Sequence, residues 1–452
     1  MNINPSIFKS YDVRGVYPTD FNEEGAYKIT QAYIKLHKPR TVVLGRDVRK
    51  SGESLFNSSL SAFLDAGVAV IDIGVVATDE FYFAVGRLGV DGGVTISASH
   101  NPAQYNGMNF CKKNAEPISS ESGLYDIRDL AIADSSKIAS NTKGRVEKKD
   151  VRDEFIKNAV SFIDTSILKP VTLVANANFG VDVIILKRAI EMFNLPIKLI
   201  PLNGEPDGTF PKGPPNPLLP ENRKETLSLI KENKADLAVS WDADGDRCFF
   251  ADENASFLEG YFVTAILAKE MLKKYPGSNI IIDPRLTWAT TDAVVNSGGT
   301  PIISKPGMTI IAARMKKENA VFGGEMSSHF YFKENYYRDN GIIPLLLILE
   351  MISKYNTTLS KLAQPFTSKY FISGEINFET ERKDEIIAAI ENKYKDGKKV
   401  EIDGLSMEYK DWRLNVRKSN TEPLLRLNIE STSESLLLQK KGEVVSFINT
   451  FI

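Results

Sequence analysis

The sequence predicts an α/β protein made of three α/β units and a smaller C-terminal α+β unit. Short apolar strands alternate with amphipathic helices, and this pattern restarts after the polar stretch 135–149 and again after an acidic loop near residue 245. Beyond residue 369 the order becomes strand, helix, strands and helix, which is typical of an α+β unit. The length of 452 residues agrees, since domains of roughly 150 residues are common.

The first unit, expected at residues 1–147, shows the alternation clearly. Ser51 is a suitable helix N-cap and Gly67 a suitable helix end. The expected elements are a strand at Thr41–Leu44, a helix with its apolar face between Leu55 and Leu64, and strands at Val68–Ile73 and Val94–Ser97.

The second and third units, expected at residues 148–252 and 253–368, continue the pattern with one break. Six prolines between Pro206 and Pro220 predict an irregular segment there. The expected strands are Val171–Ala175, Ile197–Ile200, Asp236–Ser240, Asn279–Ile282 and Pro301–Ser304. The expected helices are Val181–Met192, Glu221–Asn233, Gly260–Lys273, Trp288–Val295 and Thr309–Glu318.

The C-terminal unit, expected at residues 369–452, is richer in strands. The expected elements are a strand at Gly374–Phe378, a helix at Lys383–Tyr394, strands between Leu405 and Val416 and at Leu424–Ile429, and a terminal helix.

Composition excludes several classes of function. Lys and Arg number 56 and Asp and Glu number 58, for a net charge of −2, so no overall positive field attracts nucleic acid or anionic lipid. Two cysteines and three histidines make a disulfide framework or a zinc site improbable. We therefore expect a cytoplasmic protein that binds neither nucleic acid nor membranes.

The sharpest local signal is the loop Ser97-Ala98-Ser99-His100-Asn101-Pro102, which follows a predicted strand. Ligand-binding loops of α/β proteins occupy this position. A serine there can act as a nucleophile assisted by a base such as His100. A simple Asn-Pro turn explains the same residues, and on this loop alone it is the preferred interpretation.

A second loop places Asp242, Asp244 and Asp246 at alternate positions before Arg247. Such carboxylates can converge on Mg²⁺, although a solvated acidic turn or an EF-hand is an alternative. An EF-hand needs glycine at its sixth position, where this chain has Arg247, and the flanking segments are predicted strands. A magnesium loop with Arg247 facing an anionic ligand is therefore preferred.

Four further segments are ambiguous when taken singly. Arg417 to Pro423 offers the several donors that a phosphate requires, but a polar β-turn explains it as well. Gly323 to His329 can hydrogen-bond sugar hydroxyls or simply end a strand. Tyr11–Gly15 and Gly45–Asp47 each place an arginine beside an aspartate, as structural ion pairs also do.

Taken together in this order, the motifs resemble those of the α-D-phosphohexomutase superfamily, phosphomannomutase/phosphoglucomutase type, and especially bacterial phosphomannomutases. The resemblance covers the whole chain. It implies three α/β domains with mixed sheets and a smaller C-terminal α+β domain around a central cleft, in a monomer or weak homodimer. Further matching segments are Tyr105-Asn106-Gly107-Met108, Asn216 to Pro220, Asp283 to Leu286 and Asp411-Trp412-Arg413.

The resemblance also implies the chemistry. A phosphoryl group would move between C1 and C6 of a hexose phosphate, mannose or glucose, through a phosphoserine. Mg²⁺ is the implied cofactor, and a hexose 1,6-bisphosphate is the implied intermediate and activator. The implied catalytic residues are Ser99, His100, Arg14, Arg247 and His329; the substrate ligands are Arg285, Glu325, Ser327, Arg417, Ser419, Asn420 and Thr421; the metal ligands are Ser99, Asp242, Asp244 and Asp246.

Two positions depart from the family pattern. Asn109 stands where the family usually has lysine, and Met308 where it has histidine. Both changes remove groups that handle protons or face phosphate, so a catalytically weak paralogue that binds sugar phosphates is one alternative. Phosphoglucosamine mutase is another, although the Glu-Met-Ser segment at 325–327 is more similar to the mannose/glucose branch.

Overall fold

The computed structural model describes residues 3–133, 137–419 and 423–452, and the chain divides into two compact units. Unit 1 is built from the chain up to Leu258 together with Ser327–Ser360. Unit 2 is built from Glu259–Met326 and Lys361–Ile452. The expected substrate ligands Asn420 and Thr421 lie outside the described residues.

Unit 1 begins with a mixed sheet between helices. Its elements are β1 (Val13–Val16), α1 (Glu23–His37), β2 (Thr41–Arg46), α2 (Gly52–Asp65), β3 (Ala69–Val75), α3 (Thr78–Arg87), β4 (Gly92–Ile96), β5 (Tyr105–Lys112), α4 (Leu124–Ala133) and β6 (Val146–Lys148). The strand order is β1-β5-β4-β2-β3-β6. From β4 to β6 the neighbours are parallel, and β5 is antiparallel to both β1 and β4.

The apolar pattern explains the centre of this sheet but not its edge. Val42, Val43 and Leu44 are fully buried, as expected for a continuous apolar run in a strand covered on both faces. Edge strand β6 lies within the polar stretch that we expected to be only a domain boundary. Its side chains are all exposed, so no apolar alternation marked it in the sequence.

A second mixed sheet completes most of unit 1. Its elements are α5 (Arg152–Val160), β7 (Val171–Asn176), α6 (Asp182–Phe193), β8 (Ile197–Leu202), α7 (Pro220–Asn233), β9 (Leu237–Trp241), β10 (Cys248–Asp252) and β11 (Phe257–Leu258). The order is β11-β10-β9-β7-β8, with parallel pairing on both sides of β7. The proline-rich segment before α7 contains neither helix nor strand, as predicted.

Unit 2 opens with a parallel arrangement in which β12 pairs with both β13 and β14. Its elements here are α8 (Gly260–Lys274), β12 (Asn279–Ile282), α9 (Trp288–Asn296), β13 (Thr300–Ile303), α10 (Met308–Glu318) and β14 (Phe322–Gly324). The chain then contributes β15 (Phe330–Phe332), β16 (Arg338–Asp339) and α11 (Ile343–Tyr355) to unit 1.

The rest of unit 2 is an antiparallel sheet with two helices packed on its apolar side chains. The remaining elements are α12 (Leu359–Thr367), β17 (Phe371–Ile372), β18 (Ile376–Glu379), α13 (Lys383–Lys393), β19 (Lys398–Val400), β20 (Leu405–Glu408), β21 (Trp412–Lys418), β22 (Leu424–Ser431) and α14 (Glu434–Asn449). The predicted α/β class with an α+β tail is confirmed. Helices among the described residues are too short or too polar to form a bilayer span.

Candidate active site

The serine loop leaves the carboxyl end of β4, the position at which α/β proteins bind ligands. Ser99 has a left-handed backbone with φ of 47°, and its side chain is nearly buried. Its Oγ donates to Asp242 Oδ2 at 2.9 Å and accepts from Arg247 Nη2 at 2.9 Å. The expected nucleophile therefore lies between a carboxylate and a guanidinium.

His100 and Arg14 complete the surroundings of this serine. His100 Nδ1 lies 3.1 Å from Ser99 Oγ and accepts from Arg247 Nη2. Burial, with the positive charges of Arg247 and Arg14 nearby, lowers the pKa of His100 well below its ordinary value. Arg14 donates to Asn101 Oδ1 at 2.6 Å and pairs with Asp12. His100 is thus a neutral imidazole in contact with the serine hydroxyl.

The acidic loop follows β9, and its three aspartates are at most 1% exposed. Asp242, Asp244 and Asp246 can each place a carboxylate oxygen within 4.8 Å of the others. Thr78 and Ser97 hydroxyls donate to Asp244 Oδ2 at 2.7 and 2.8 Å. We call Ser99, Asp242, Asp244, Asp246 and Arg247 the serine–aspartate cluster.

This cluster has the donor set of a magnesium site. Among the residues that the structure describes, none is a hydrogen-bond partner of either Asp246 oxygen or of Asp244 Oδ1. Burial raises the pKa of Asp242 to about 7 and that of Asp246 to about 6, and repulsion from Asp244 adds to both shifts. A hard divalent cation with oxygen ligands would satisfy these atoms and restore the ionised forms.

His329 lies beside the same loop. Its Nε2 is 3.5 Å from Asp246 Oδ1, and its Nδ1 is 3.2 Å from Ser327 Oγ. Asp246, His329 and Asp339 form a second set of potential metal ligands that shares Asp246. Of the expected catalytic residues, Ser99, His100, Arg14, Arg247 and His329 are all placed at or next to the cluster within unit 1.

In unit 2 the expected sugar and phosphate residues lie at the ends of β12 and β14. Arg285 is buried and paired with Asp283, to whose oxygens Nε donates at 2.8 and 3.0 Å. Glu325 is 3% exposed and accepts from the amide of Gly307 at 2.5 Å. Ser327 comes two residues later, where the chain enters unit 1.

Arg417, at the end of β21, is also held by carboxylates. Its Nη2 donates to Glu375 at 3.0 Å, and its Nε lies 3.6 Å from Asp403 Oδ2. Arg426 donates to the other oxygen of Glu375 at 3.2 Å. Ser419 donates its amide to Leu424 at 2.8 Å. We call these residues the arginine–carboxylate cluster: Arg285, Asp283, Arg417, Arg426, Glu375 and Asp403.

Sequence reasoning missed several residues that support the site. Asp47 pairs with Arg49 and not, as expected, with Arg46, and Arg49 donates to the serine loop. Asp182 is fully buried, neither of its oxygens has a hydrogen-bond partner, and a Cβ at Gly245 would lie 2.4 Å from one of them. The Arg-Asp-x-Arg spacing at residues 46–49 could have indicated Arg49 as a partner of Asp47. No pattern in the sequence indicated Asp182.

The sequence matches four domain families in chain order. They are described as phosphoglucomutase/phosphomannomutase alpha/beta/alpha domain I at residues 5–133, domain II at 153–256, domain III at 259–370, and the C-terminal domain at 375–446. These matches bear on family membership; the domain limits given above from the sequence stay predictions.

Relatives and solved structures agree with these matches. The chain is 42% identical over 442 residues to a phosphomannomutase of Escherichia coli K12, covering 96% of each chain. It is 42% identical over 443 residues to phosphohexose mutases of Xanthomonas campestris, covering 97% of this chain and 98% of theirs. A crystal structure of a family protein from Burkholderia thailandensis matches with a TM-score of 0.88 and 28% identity, over 99% of this chain and 98% of that one. This chain therefore belongs to the phosphoglucomutase/phosphomannomutase family and is a phosphohexomutase.

Proposed function

We propose that the enzyme interconverts the 1- and 6-phosphates of mannose, and also those of glucose, through a phosphorylated Ser99. The observation that carries the proposal is the position of Ser99 Oγ, 2.9 Å from both Asp242 and Arg247. The carboxylate can accept the proton of the hydroxyl, and the guanidinium can stabilise charge on a phosphoryl group.

The proposed reaction has two half-reactions that mirror each other. In the first, the bond from phosphorus to Ser99 Oγ breaks while a sugar hydroxyl oxygen bonds the phosphorus. The sugar hydroxyl loses its proton to an imidazole, His100 or His329, and the freed serine oxygen takes that proton back from the imidazole; His100 Nδ1 lies 3.1 Å from Ser99 Oγ. In the second, Ser99 attacks the other phosphate of the resulting hexose 1,6-bisphosphate, which releases the isomerised monophosphate.

Other residues of the chain would bind the substrate. Glu325 and Ser327 would accept hydrogen bonds from sugar hydroxyls, while Arg285 and Arg417 would bind the phosphate that does not react. Ser419, Asn420 and Thr421 would add donors to that phosphate. Mg²⁺, held by Asp242, Asp244, Asp246 and an oxygen of phosphorylated Ser99, would neutralise charge on the transferring group.

A coupled assay tests this function. Mannose 1-phosphate, glucose 1-phosphate and glucosamine 1-phosphate are each supplied with Mg²⁺ and glucose 1,6-bisphosphate, and formation of the 6-phosphate is followed. We expect turnover of the mannose and glucose substrates and much slower turnover of the glucosamine one. Ser99→Ala, purified in parallel, controls for contaminating mutase.

The two alternatives give different results. Preferred turnover of glucosamine 1-phosphate would identify a phosphoglucosamine mutase. Binding of sugar phosphates by calorimetry without turnover of any of them would identify a weak paralogue, which is the alternative that Asn109 and Met308 favour.

A further inference from the structure

Arg49 is a fully buried arginine that lies on the loop after β2, outside the residues expected to touch substrate. Its terminal nitrogens donate to four backbone carbonyl groups, three in the serine loop and one at the start of β5. The acceptors are Ser99 at 2.7 Å and Asn101 at 2.6 Å for Nη2, and Pro102 at 2.7 Å and Tyr105 at 3.1 Å for Nη1.

The fifth donor of the guanidinium is used as well. Arg49 Nε donates to Asp47 Oδ2 at 3.1 Å, and the backbone amide of Arg49 donates to Asp47 Oδ1 at 2.9 Å. A guanidinium has five N–H donors in a fixed planar fork, so every donor of Arg49 has an acceptor. A lysine has three donors on a flexible stem and cannot reproduce this arrangement.

The second sheet's proline-rich segment closes over this guanidinium. The ring of Phe210 lies 4.9 Å from the guanidinium carbon, and Gly208 forms a parallel β-bridge with Arg49. A Cβ at Gly208 would lie 2.2 Å from the carbonyl oxygen of Val48, so only glycine permits this approach. The segment excludes water, whose competition would weaken the hydrogen bonds of Arg49.

Ser99 needs such support because its backbone is left-handed, a conformation that residues with a Cβ rarely adopt. Arg49 holds the carbonyl of Ser99, and Ser97 Oγ accepts from the amide of Ser99 at 3.0 Å. With its amide and its carbonyl both held, the direction of the Ser99 side chain is fixed. That direction brings Oγ to Asp242 and Arg247.

We propose that Arg49 is a positioning residue that holds Ser99 in the conformation required for phosphoryl transfer. In the part of the chain that the structure describes, Arg49 bonds Asp47 and backbone carbonyls, not the Ser99 hydroxyl, so it acts through the serine loop. This inference rests on the proposed role of Ser99 as the phosphoryl carrier.

The test compares Arg49→Lys with Arg223→Lys. Arg223 is a matched control because it also donates to two carbonyls, those of Pro217 and Leu218 at 2.7 Å, and stacks on a phenylalanine ring at 3.4 Å. For each protein we would measure the single-turnover rate at which glucose 1,6-bisphosphate phosphorylates Ser99, kcat and KM for mannose 1-phosphate, and the melting temperature.

We expect Arg49→Lys to lower both kcat and the phosphorylation rate by about 10²-fold, the effect of misplacing a reacting atom by about 1 Å. KM should change less than about threefold because the substrate ligands are untouched. Arg223→Lys should lower the melting temperature by a similar amount and keep the wild-type kcat.

If Arg49→Lys lowers the melting temperature but keeps the wild-type phosphorylation rate, Arg49 has only a structural role and the proposal is overturned. If that variant folds too poorly to assay, Asp47→Asn decides: the proposal requires a smaller fall in kcat at constant KM, and an unchanged kcat rejects it. Wild-type enzyme that turns over while never acquiring phosphate on Ser99 rejects the proposed phosphoserine itself. If Ser99 is phosphorylated and Arg49→Lys keeps the wild-type kcat and phosphorylation rate, only the positioning role of Arg49 is rejected.

Discussion

Among the described residues, the serine–aspartate cluster contains three aspartates against one arginine, whereas each arginine of the arginine–carboxylate cluster has a carboxylate nearby. In the first, Asp244 Oδ1 and both oxygens of Asp246 have no hydrogen-bond partner. In the second, Arg285 is paired with Asp283, and Glu375 bridges Arg417 and Arg426. The first cluster is buried and the second is partly buried, and of the two only the first has an excess of one charge.

This difference indicates how each cluster takes up its ligand. Buried carboxylates that repel one another are stabilised by a cation, so under the proposed function Mg²⁺ would complete the first cluster. In the second, each arginine already has a carboxylate close by, so the proposed substrate phosphate would compete with Glu375 for Arg417. Ligand binding should therefore stabilise the first cluster strongly and the second only weakly.

The largest expected effect is that of Asp246→Asn on the metal requirement. The change removes one anionic ligand, so we expect the Mg²⁺ concentration for half-maximal activity to rise about 10²-fold. In chelator the variant should melt above wild type because it relieves the repulsion between buried carboxylates, and added Mg²⁺ should raise its melting temperature less.

Asp252→Asn is the control for this change, since Asp252 only accepts backbone amides in a turn after β10. It should leave the Mg²⁺ dependence unaltered. Two results would show that the first cluster is complete without a cation. One is an Asp246→Asn protein that melts below wild type in chelator; the other is one whose Mg²⁺ concentration for half-maximal activity equals that of wild type.

The next effect concerns Arg417→Lys in the second cluster. Lysine keeps the charge but loses the planar fork that binds a phosphate through two nitrogens. We expect KM for mannose 1-phosphate to rise roughly 10- to 100-fold, with a smaller change in kcat. Arg382→Lys, at an exposed pair with Glu385 in the same unit, is the control. An unchanged KM for Arg417→Lys would place the substrate phosphate elsewhere.

A smaller effect is expected for Asn109→Lys. Asn109 lies in β5 opposite Thr95, is 3% exposed, and its Oδ1 has no hydrogen-bond partner. The added cation should stabilise charge in the transition state and raise kcat roughly tenfold. This factor is smaller than the rate loss typically caused by removing a preorganised donor. Lys113 is exposed beyond the end of β5, so Lys113→Ala should leave kcat unchanged. A kcat that falls in Asn109→Lys would indicate that the site is built around asparagine.

The smallest effect on catalysis is expected at Glu430, a buried carboxyl of unit 2. It accepts from the amides of Thr287 and Trp288 and from the hydroxyl of Tyr261. Burial raises its pKa from 4.5 to about 8. Between about pH 5 and 8 the folded protein therefore retains a proton that the unfolded chain has released, and the free energy of unfolding falls by about 1.4 kcal/mol per pH unit.

The Glu430→Gln variant has no ionisable group at this position. It should therefore lack this pH dependence of the free energy of unfolding while keeping the wild-type kcat. Urea unfolding of both proteins at several pH values between 5 and 8 measures the difference in slope. Equal slopes would show that Glu430 is ionised in the fold, a state that Arg413 Nη1, 3.7 Å from Glu430 Oε2, would stabilise.

The contrast between the clusters also shows which residues a sequence can predict. Ser99, Asp242 and Arg247 stand in contiguous motifs after strands, and a motif of that kind carries its own spacing and its own chemistry. Arg49 contacts residues about fifty positions further along the chain. Glu375 bridges arginines of two later strands, so only the fold shows the role of either residue.

Local signals failed where another contact competed for the same atom. Ser51 precedes α2 as predicted, but its hydroxyl makes no cap and instead accepts from Asn106 at 2.8 Å. Helix α11 has Pro344 in its first turn, where proline is compatible with a helix. Apolar periodicity thus located the helices and strands that were predicted from it, and long-range pairing decided the supporting residues of the site.

The central claim, that Ser99 carries the phosphoryl group, is tested most directly by peptide mass spectrometry of enzyme treated with glucose 1,6-bisphosphate. We predict one added phosphoryl group on the peptide that contains Ser99, its loss when excess mannose 1-phosphate is added, and its absence from Ser99→Ala. Active enzyme that carries no phosphate at Ser99, or carries it on another residue that exchanges with substrate, would contradict the account.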